Sequence, residues 1–211
     1  MNYFAHLALA QPTVASKVGN LLGDFMRGVR EDELAEPVRR GLYNHRLVDR
    51  FTDHHPLVVE GRQRFSARRR RFAGVALDVL FDHFLIRHWA HFDNRPLQAV
   101  IDENYRLLQR GTELMPETMR ITTRHMAEHD WFNHYAQLDN VGRALDRIAA
   151  RIRFANQFHG ALEEILEHHD HLERVFLELY PQLRAHVAAE ALEPPPPDPL
   201  IHNGVGYVHQ P

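Results

Sequence analysis

Apolar positions recur along most of the chain at intervals of three and four, the period of a helix with one buried face. Residues 2–10 form a short apolar helix stopped by Pro12. Thr13 is placed to cap a second helix reaching about Gly28, with Val14, Val18, Leu21, Leu22 and Phe25 on its inner face. Pro37 opens a third over about 37–53, which ends before Pro56. A fourth starts near Leu57 and carries Arg68, Arg69, Arg70 and Arg71 near its far end. Residues 75–92 are almost wholly apolar and read as a central helix. Further helices are expected from Pro96 to about Gln109, from Pro116 through Trp131, over 138–154, and over 160–191 with an interruption near Pro181. No alternating β-branched runs or hairpin pairs compete with this pattern. It predicts an all-α, single-domain helical bundle over residues 1–192, and a Pro-rich flexible tail over 193–211.

Polar residues that break the apolar stripes are the informative ones. His45 and Asp49 are four apart and share a helical face, with Asp53 two turns beyond His45. Asp78 and Asp82 repeat the spacing inside the central helix, followed by His83. Asp24 stands among Leu21, Leu22 and Phe25, and His6 among Phe4 and Leu7. Carboxylates and imidazoles on inward faces need partners, and a divalent cation satisfies several at once. The bland alternative is a set of ion pairs with neighbouring arginines on solvated strips.

Composition narrows the chemistry. The chain has 211 residues, 44% hydrophobic and 25% charged, with a net charge of −3. Nothing in that balance points to nucleic acid. The absence of cysteine excludes thiolate catalysis and sulfur-ligated metal, and is consistent with a cytoplasmic protein. No signal peptide and no stretch long and apolar enough for a membrane span are recognisable. Lys17 is the only lysine, so phosphate contacts would fall to arginines such as Arg27 and Arg46. No P-loop, GxGxxG or GxSxG motif occurs. His125 and His129 have the spacing of a zinc pair without the HExxH signature; His88, His91, His168, His169 and His171 read as surface or packing positions. Metal-activated water is then the most economical nucleophile. A carboxylate-rich set with imidazole suits Mn²⁺ or Mg²⁺, with Fe²⁺ or Zn²⁺ as options.

The segments MNYFAHLALA, GNLLGDFMRG, NHRLVDRFTDHHP and ALDVLFDHFLIRHW closely resemble the acyl carrier protein phosphodiesterases, a family related to divergent HD-type metal-dependent phosphohydrolases. The resemblance implies a manganese-dependent enzyme that hydrolyses holo-acyl carrier protein to 4'-phosphopantetheine and apo-carrier protein. It implies that Asp24 is essential and that His45, Asp49, Asp53, Asp78, Asp82 and His83 occupy motif positions. The resulting expectation puts metal on Asp24, His45, Asp49 and Asp82. It puts catalytic roles on Asp24, Asp53, Asp78 and His83, and substrate contacts on His6, Arg27 and Arg46. Arg68, Arg69, Arg70 and Arg71 are expected to dock the acidic carrier protein, with neither nucleic acid nor membrane as partner. A phosphohydrolase of nucleotides and a non-enzymatic helical adaptor are the competing readings.

Overall fold

The computed structural model describes residues 1–195, all helix, turn and loop. Eleven α-helices are present among them: α1 Tyr3–Leu9, α2 Val14–Leu22, α3 Glu36–His54, α4 Pro56–Gln63, α5 Ala73–Arg87, α6 Leu97–Arg110, α7 Glu117–Glu128, α8 Trp131–His134, α9 Leu138–Arg151, α10 Leu162–Glu167 and α11 His169–Glu190. The all-α expectation holds. Of the tail expected over 193–211, residues 196–211 lie outside the described residues.

Helix α5 is the axis of the bundle. Every residue from Val79 to Ile86 is buried, so this stretch of the helix is wrapped on every side. Helices α2 and α3 cross unusually closely, and two glycines permit it. A Cβ on Gly19 would stand 2.2 Å from the Val38 carbonyl oxygen and 2.8 Å from the Gly41 Cα. Thr13 caps α2 as expected, its Oγ1 accepting from the Ser16 amide at 3.2 Å.

Helix α1 is too short to persist on its own, and the rest of the chain holds it at both ends. Asn2 gives it no side-chain cap. Instead Asp82, reaching across from α5, accepts from the Phe4 and Ala5 amides, each at 2.9 Å. At the other end the Lys17 ammonium donates to the Leu7 carbonyl at 2.6 Å. An anion at the amino end and a cation at the carboxyl end both oppose the helix dipole. Burial lowers the Lys17 pKa to about 8.

Several expected boundaries differ: the central helix ends at Arg87 rather than near residue 92, and the helix expected over 160–191 is divided at His168 into α10 and α11. The second helix ends at Leu22 and passes into a 3₁₀ turn over Gly23–Phe25 that carries Asp24. The four arginines lie beyond α4, in the turns that lead to α5, because α4 stops at Gln63. Pro181 does not interrupt α11; it sits on the exposed side of a continuous helix.

Candidate metal centre

Helices α1 and α3 bring His6, His45 and Asp49 together. His6 Nε2 stands 3.1 Å from Asp49 Oδ1, and His45 Nε2 stands 3.0 Å from Asp49 Oδ2. One ligand atom from each residue lies within 4.8 Å of the others. The two imidazoles stack with centroids 3.9 Å apart. Both histidines are buried, while Asp49 is partly open to solvent.

The tautomers follow from the surroundings. The Asn20 carbonyl faces His45 Nδ1 at 2.8 Å, so Nδ1 carries the proton and donates. That leaves the Nε2 lone pair directed at a carboxylate. Two acceptors face one another, a contact that needs a proton or a cation between them. Burial works against a charged His45, but the Asp49 carboxylate outweighs it and raises the His45 pKa. The same contacts, from His45 and then His6, overcome burial and hold Asp49 well below the ordinary carboxylate range. His6 moves the other way: burial, then His45, push it down to about 3. Despite its short approach to Asp49, neither His6 ring nitrogen has hydrogen-bond geometry to any partner among the described residues. A buried imidazole without a partner is costly, and a metal ion is a natural one.

Space is reserved as well as charge. A Cβ on Gly23 would fall 2.1 Å from His45 Cδ2 and 2.2 Å from its Nε2. Only glycine leaves the metal-facing edge of that ring clear. The carbonyl on Nδ1 and the glycine at Nε2 together fix His45 as an oriented donor, as metal-ligating histidines require.

Asp24 and Asp78 border this cluster without joining its tight core. Asp24 is exposed as a residue, yet burial of its carboxyl raises its pKa; His45 opposes the shift and Asp49 adds to it. Asp78 is 2.8 Å from the Met1 ammonium, which also approaches Asp49 at 3.4 Å. The donor set of two imidazoles and a carboxylate, bordered by two more carboxylates, fits Mn²⁺, Fe²⁺ or Zn²⁺.

Other expected residues are placed elsewhere. Both Asp82 oxygens face the α1 amides, which makes Asp82 an anchor for His6 rather than a member of the cluster; burial, opposed by those amides, pushes its pKa up to about 7. Asp53 is exposed and paired with Arg62. His83 lies buried with Nδ1 against the Tyr135 carbonyl at 2.7 Å and is not among the residues that gather with His6, His45 and Asp49. Arg46 pairs with Glu31 at 2.7 Å, and Arg27 is exposed. The docking expectation fails for Arg69. It is buried, with Nη1 2.8 Å from Glu164 and Nη2 2.8 Å from the His159 carbonyl. Arg70 donates to the Phe65 carbonyl, Arg71 lies over the Phe154 ring at 4.8 Å, and Arg68 remains exposed. His6, expected to touch substrate, is instead a core member of the cluster. Asn20 is a site-building residue that its position in the sequence did not single out.

A family model described as acyl carrier protein phosphodiesterase matches residues 1–183. The chain belongs to that family. It is 34% identical over 184 residues to the acyl carrier protein phosphodiesterase of Pectobacterium atrosepticum, covering 87% of this chain and 95% of that protein. Its identity to the acyl carrier protein phosphodiesterases of Salmonella agona and Salmonella newport is 35% over 195 residues, covering 91% of this chain and all of each relative. No solved structure matches. Acyl carrier protein phosphodiesterase membership and a His/Asp cluster suited to a metal together support a metal-dependent phosphodiesterase. No helix among the described residues is long and apolar enough to cross a membrane.

Proposed function

We propose that this chain hydrolyses holo-acyl carrier protein, with Mn²⁺ as the working metal, in the cytoplasm. The scissile bond is the phosphodiester between 4'-phosphopantetheine and a serine of the carrier protein. The observation that carries the reading is the convergence of His6, His45 and Asp49 from two helices onto one point. It is supported by the names of the relatives and by the resemblance to HD-type phosphohydrolases.

His6, His45 and Asp49 would hold the ion, with Asp24 and Asp78 completing or balancing the set. A bound divalent cation supplies Lewis-acid polarisation of the phosphoryl group and lowers the pKa of water. The protein's own part is positional. Asn20 and Gly23 orient His45, while Asp82 and Lys17 present His6. Asp24, its pKa raised and its residue open to solvent, is placed to take a proton from the attacking water or return one to the serine oxygen. Water adds to phosphorus as the bond to the serine oxygen breaks, leaving phosphopantetheine and an unmodified serine. Exposed Arg27 is suited to the phosphate oxygens. Arg68 and Arg71 are the members of the arginine run still available to the acidic carrier protein.

The test is the mass of purified holo-acyl carrier protein incubated with the enzyme, with Mn²⁺ and with chelator. Loss of the phosphopantetheine mass only with metal is expected. An unchanged mass with metal-loaded enzyme overturns the substrate assignment, and turnover of free nucleotides in its place would favour the nucleotide reading.

A further inference from the structure

A second histidine–carboxylate cluster lies where α5 ends and α11 begins. His88 follows the last residue of α5, and its Nε2 is 2.7 Å from Glu173 Oε1 on α11. His169 opens α11, with Nδ1 3.2 Å from Asp170 Oδ1. One ligand atom from each of His169, Asp170 and Glu173 lies within 4.8 Å of the other two. The side chains of His88, His169 and Glu173 are only 18%, 18% and 20% exposed, while Asp170 at the rim is 90% exposed, so this is a recess open on one side. Burial opposes ionisation of Glu173, but His88 and then Arg87 outweigh it and keep the carboxyl charged.

From this geometry we propose a second divalent-cation site, of the Zn²⁺ class, built by His88, His169, Asp170 and Glu173. His169, Asp170 and Glu173 supply three ligands, and His88, which lies against Glu173 but outside that group, would turn in as the fourth ligand of a zinc site. Zinc bonds of about 2.0–2.1 Å in a tetrahedron put ligand atoms roughly 3.3 Å apart. The contacts of 2.7 and 3.2 Å and the 4.8 Å spread of the His169, Asp170 and Glu173 atoms straddle that spacing, while His88 must turn from Glu173 toward His169 to join them. A cation here also meets the negative end of α5's dipole. The nearest bland explanation is an ion-pair network, since Arg87 Nε is 3.6 Å from the same Glu173 oxygen. His83 gives a further sign of an unmet electrostatic demand in this region. Its Nδ1 is committed to the Tyr135 carbonyl, so the bare nitrogen is Nε2, which is buried without a hydrogen-bond partner among the described residues, and His169 and Glu173 are among the groups acting on that ring. The ion would pin the end of the central helix to the start of the long C-terminal one. Nothing in the phosphodiesterase reading requires it.

The experiment uses the full chain, stripped with chelator and titrated with Zn²⁺ against a chromophoric competitor. The variants are His169→Ala and Glu173→Gln, each also in a His45→Ala background that disables the first cluster. Either change is expected to remove one equivalent of submicromolar Zn²⁺ from the parent, and the His45→Ala chain is expected to retain that equivalent. Zn²⁺ should raise the melting temperature of the parent but not of His169→Ala, because an ion that binds only the folded state stabilises it. Equal Zn²⁺ stoichiometry and equal thermal shift in parent, His169→Ala and Glu173→Gln would leave an ion-pair network only and overturn the proposal. The comparison does not depend on the first cluster holding metal: if it holds none, the parent binds one equivalent fewer and the loss on His169→Ala is still read.

Discussion

At the scale of single residues the first cluster is governed by what stands next to His45. Gly23→Ala would drive a methyl group into the metal-facing edge of that ring. It should weaken Mn²⁺ binding by roughly tenfold or more, the scale of a change beside a metal ligand, while the helical circular dichroism is kept. Unchanged affinity in a direct Mn²⁺ titration would show that the ring tolerates the displacement. His6 makes a different prediction. Its folded pKa of about 3 lies below the ordinary 6.5. Between those values the unfolded chain binds a proton that the folded chain does not. Stability from this residue is therefore complete above pH 6.5 and falls as pH falls toward 3, with a slope approaching about 1.4 kcal/mol per pH unit. In urea unfolding of the metal-free chain from about pH 7 to about pH 4, His6→Gln should flatten the curve; parallel curves would assign the slope elsewhere. Asp53 shows why the residue pattern overreached. Eight residues at about 100° each leave it roughly 80° around the helix from His45, far enough to meet Arg62 instead.

At the scale of elements, α1 is the part that others must hold. Asp82→Ala leaves the Phe4 and Ala5 amides buried without acceptors, and each such group costs about 1–3 kcal/mol. Thermal unfolding should register that loss, and Mn²⁺ affinity should drop with it because His6 rides on the same helix. A variant that keeps its melting temperature would mean water replaces the carboxylate. Helix identity was legible because the three-and-four spacing is repeated in α3, α6 and α9, and because α5 is a long, almost wholly apolar run. The partners of α1 were not, because a cap supplied from 77 residues away leaves no local signature. For the same reason Asp82, a carboxylate in an apolar helix, read as a metal ligand: burial alone does not tell a cation partner from a pair of amides.

At the scale of the whole molecule, the arginine run divides into two jobs. Arg69 ties the turn before α5 to Glu164 and to the loop carbonyls of Gln157 and His159. Arg69→Ala should cost on the order of 2 kcal/mol of stability in chemical denaturation, since it strands a charged partner. The double charge reversal Arg68→Glu with Arg71→Glu removes the approach of Arg68 to Glu164 and of Arg71 to the Phe154 ring, so its stability is measured beside its kinetics. It should raise KM for holo-acyl carrier protein while sparing a small phosphodiester, and an equal loss on both substrates would remove these residues from docking. The sequence grouped Asp24, His45, Asp49 and Asp78 with Asp53, Asp82 and His83, because polar groups on apolar stripes need partners, but the stripes do not say which of the seven share one. It could not separate the buried Arg69 from its exposed neighbours, because four consecutive identical residues carry no periodicity.

The cap that Asp82 gives to α1 also sets an order of events in time. During synthesis the residues of α1 emerge before residue 82 exists, and a seven-residue helix has no means of waiting as a helix. His6 therefore reaches the cluster only after the central helix has formed and turned its carboxylate toward the amides of Phe4 and Ala5. A nascent or partly unfolded chain can present His45 and Asp49 from α3 alone, but not the complete set. On the proposed assignment of the ion to His6, His45 and Asp49, the full donor set exists only where the central helix has capped the first one.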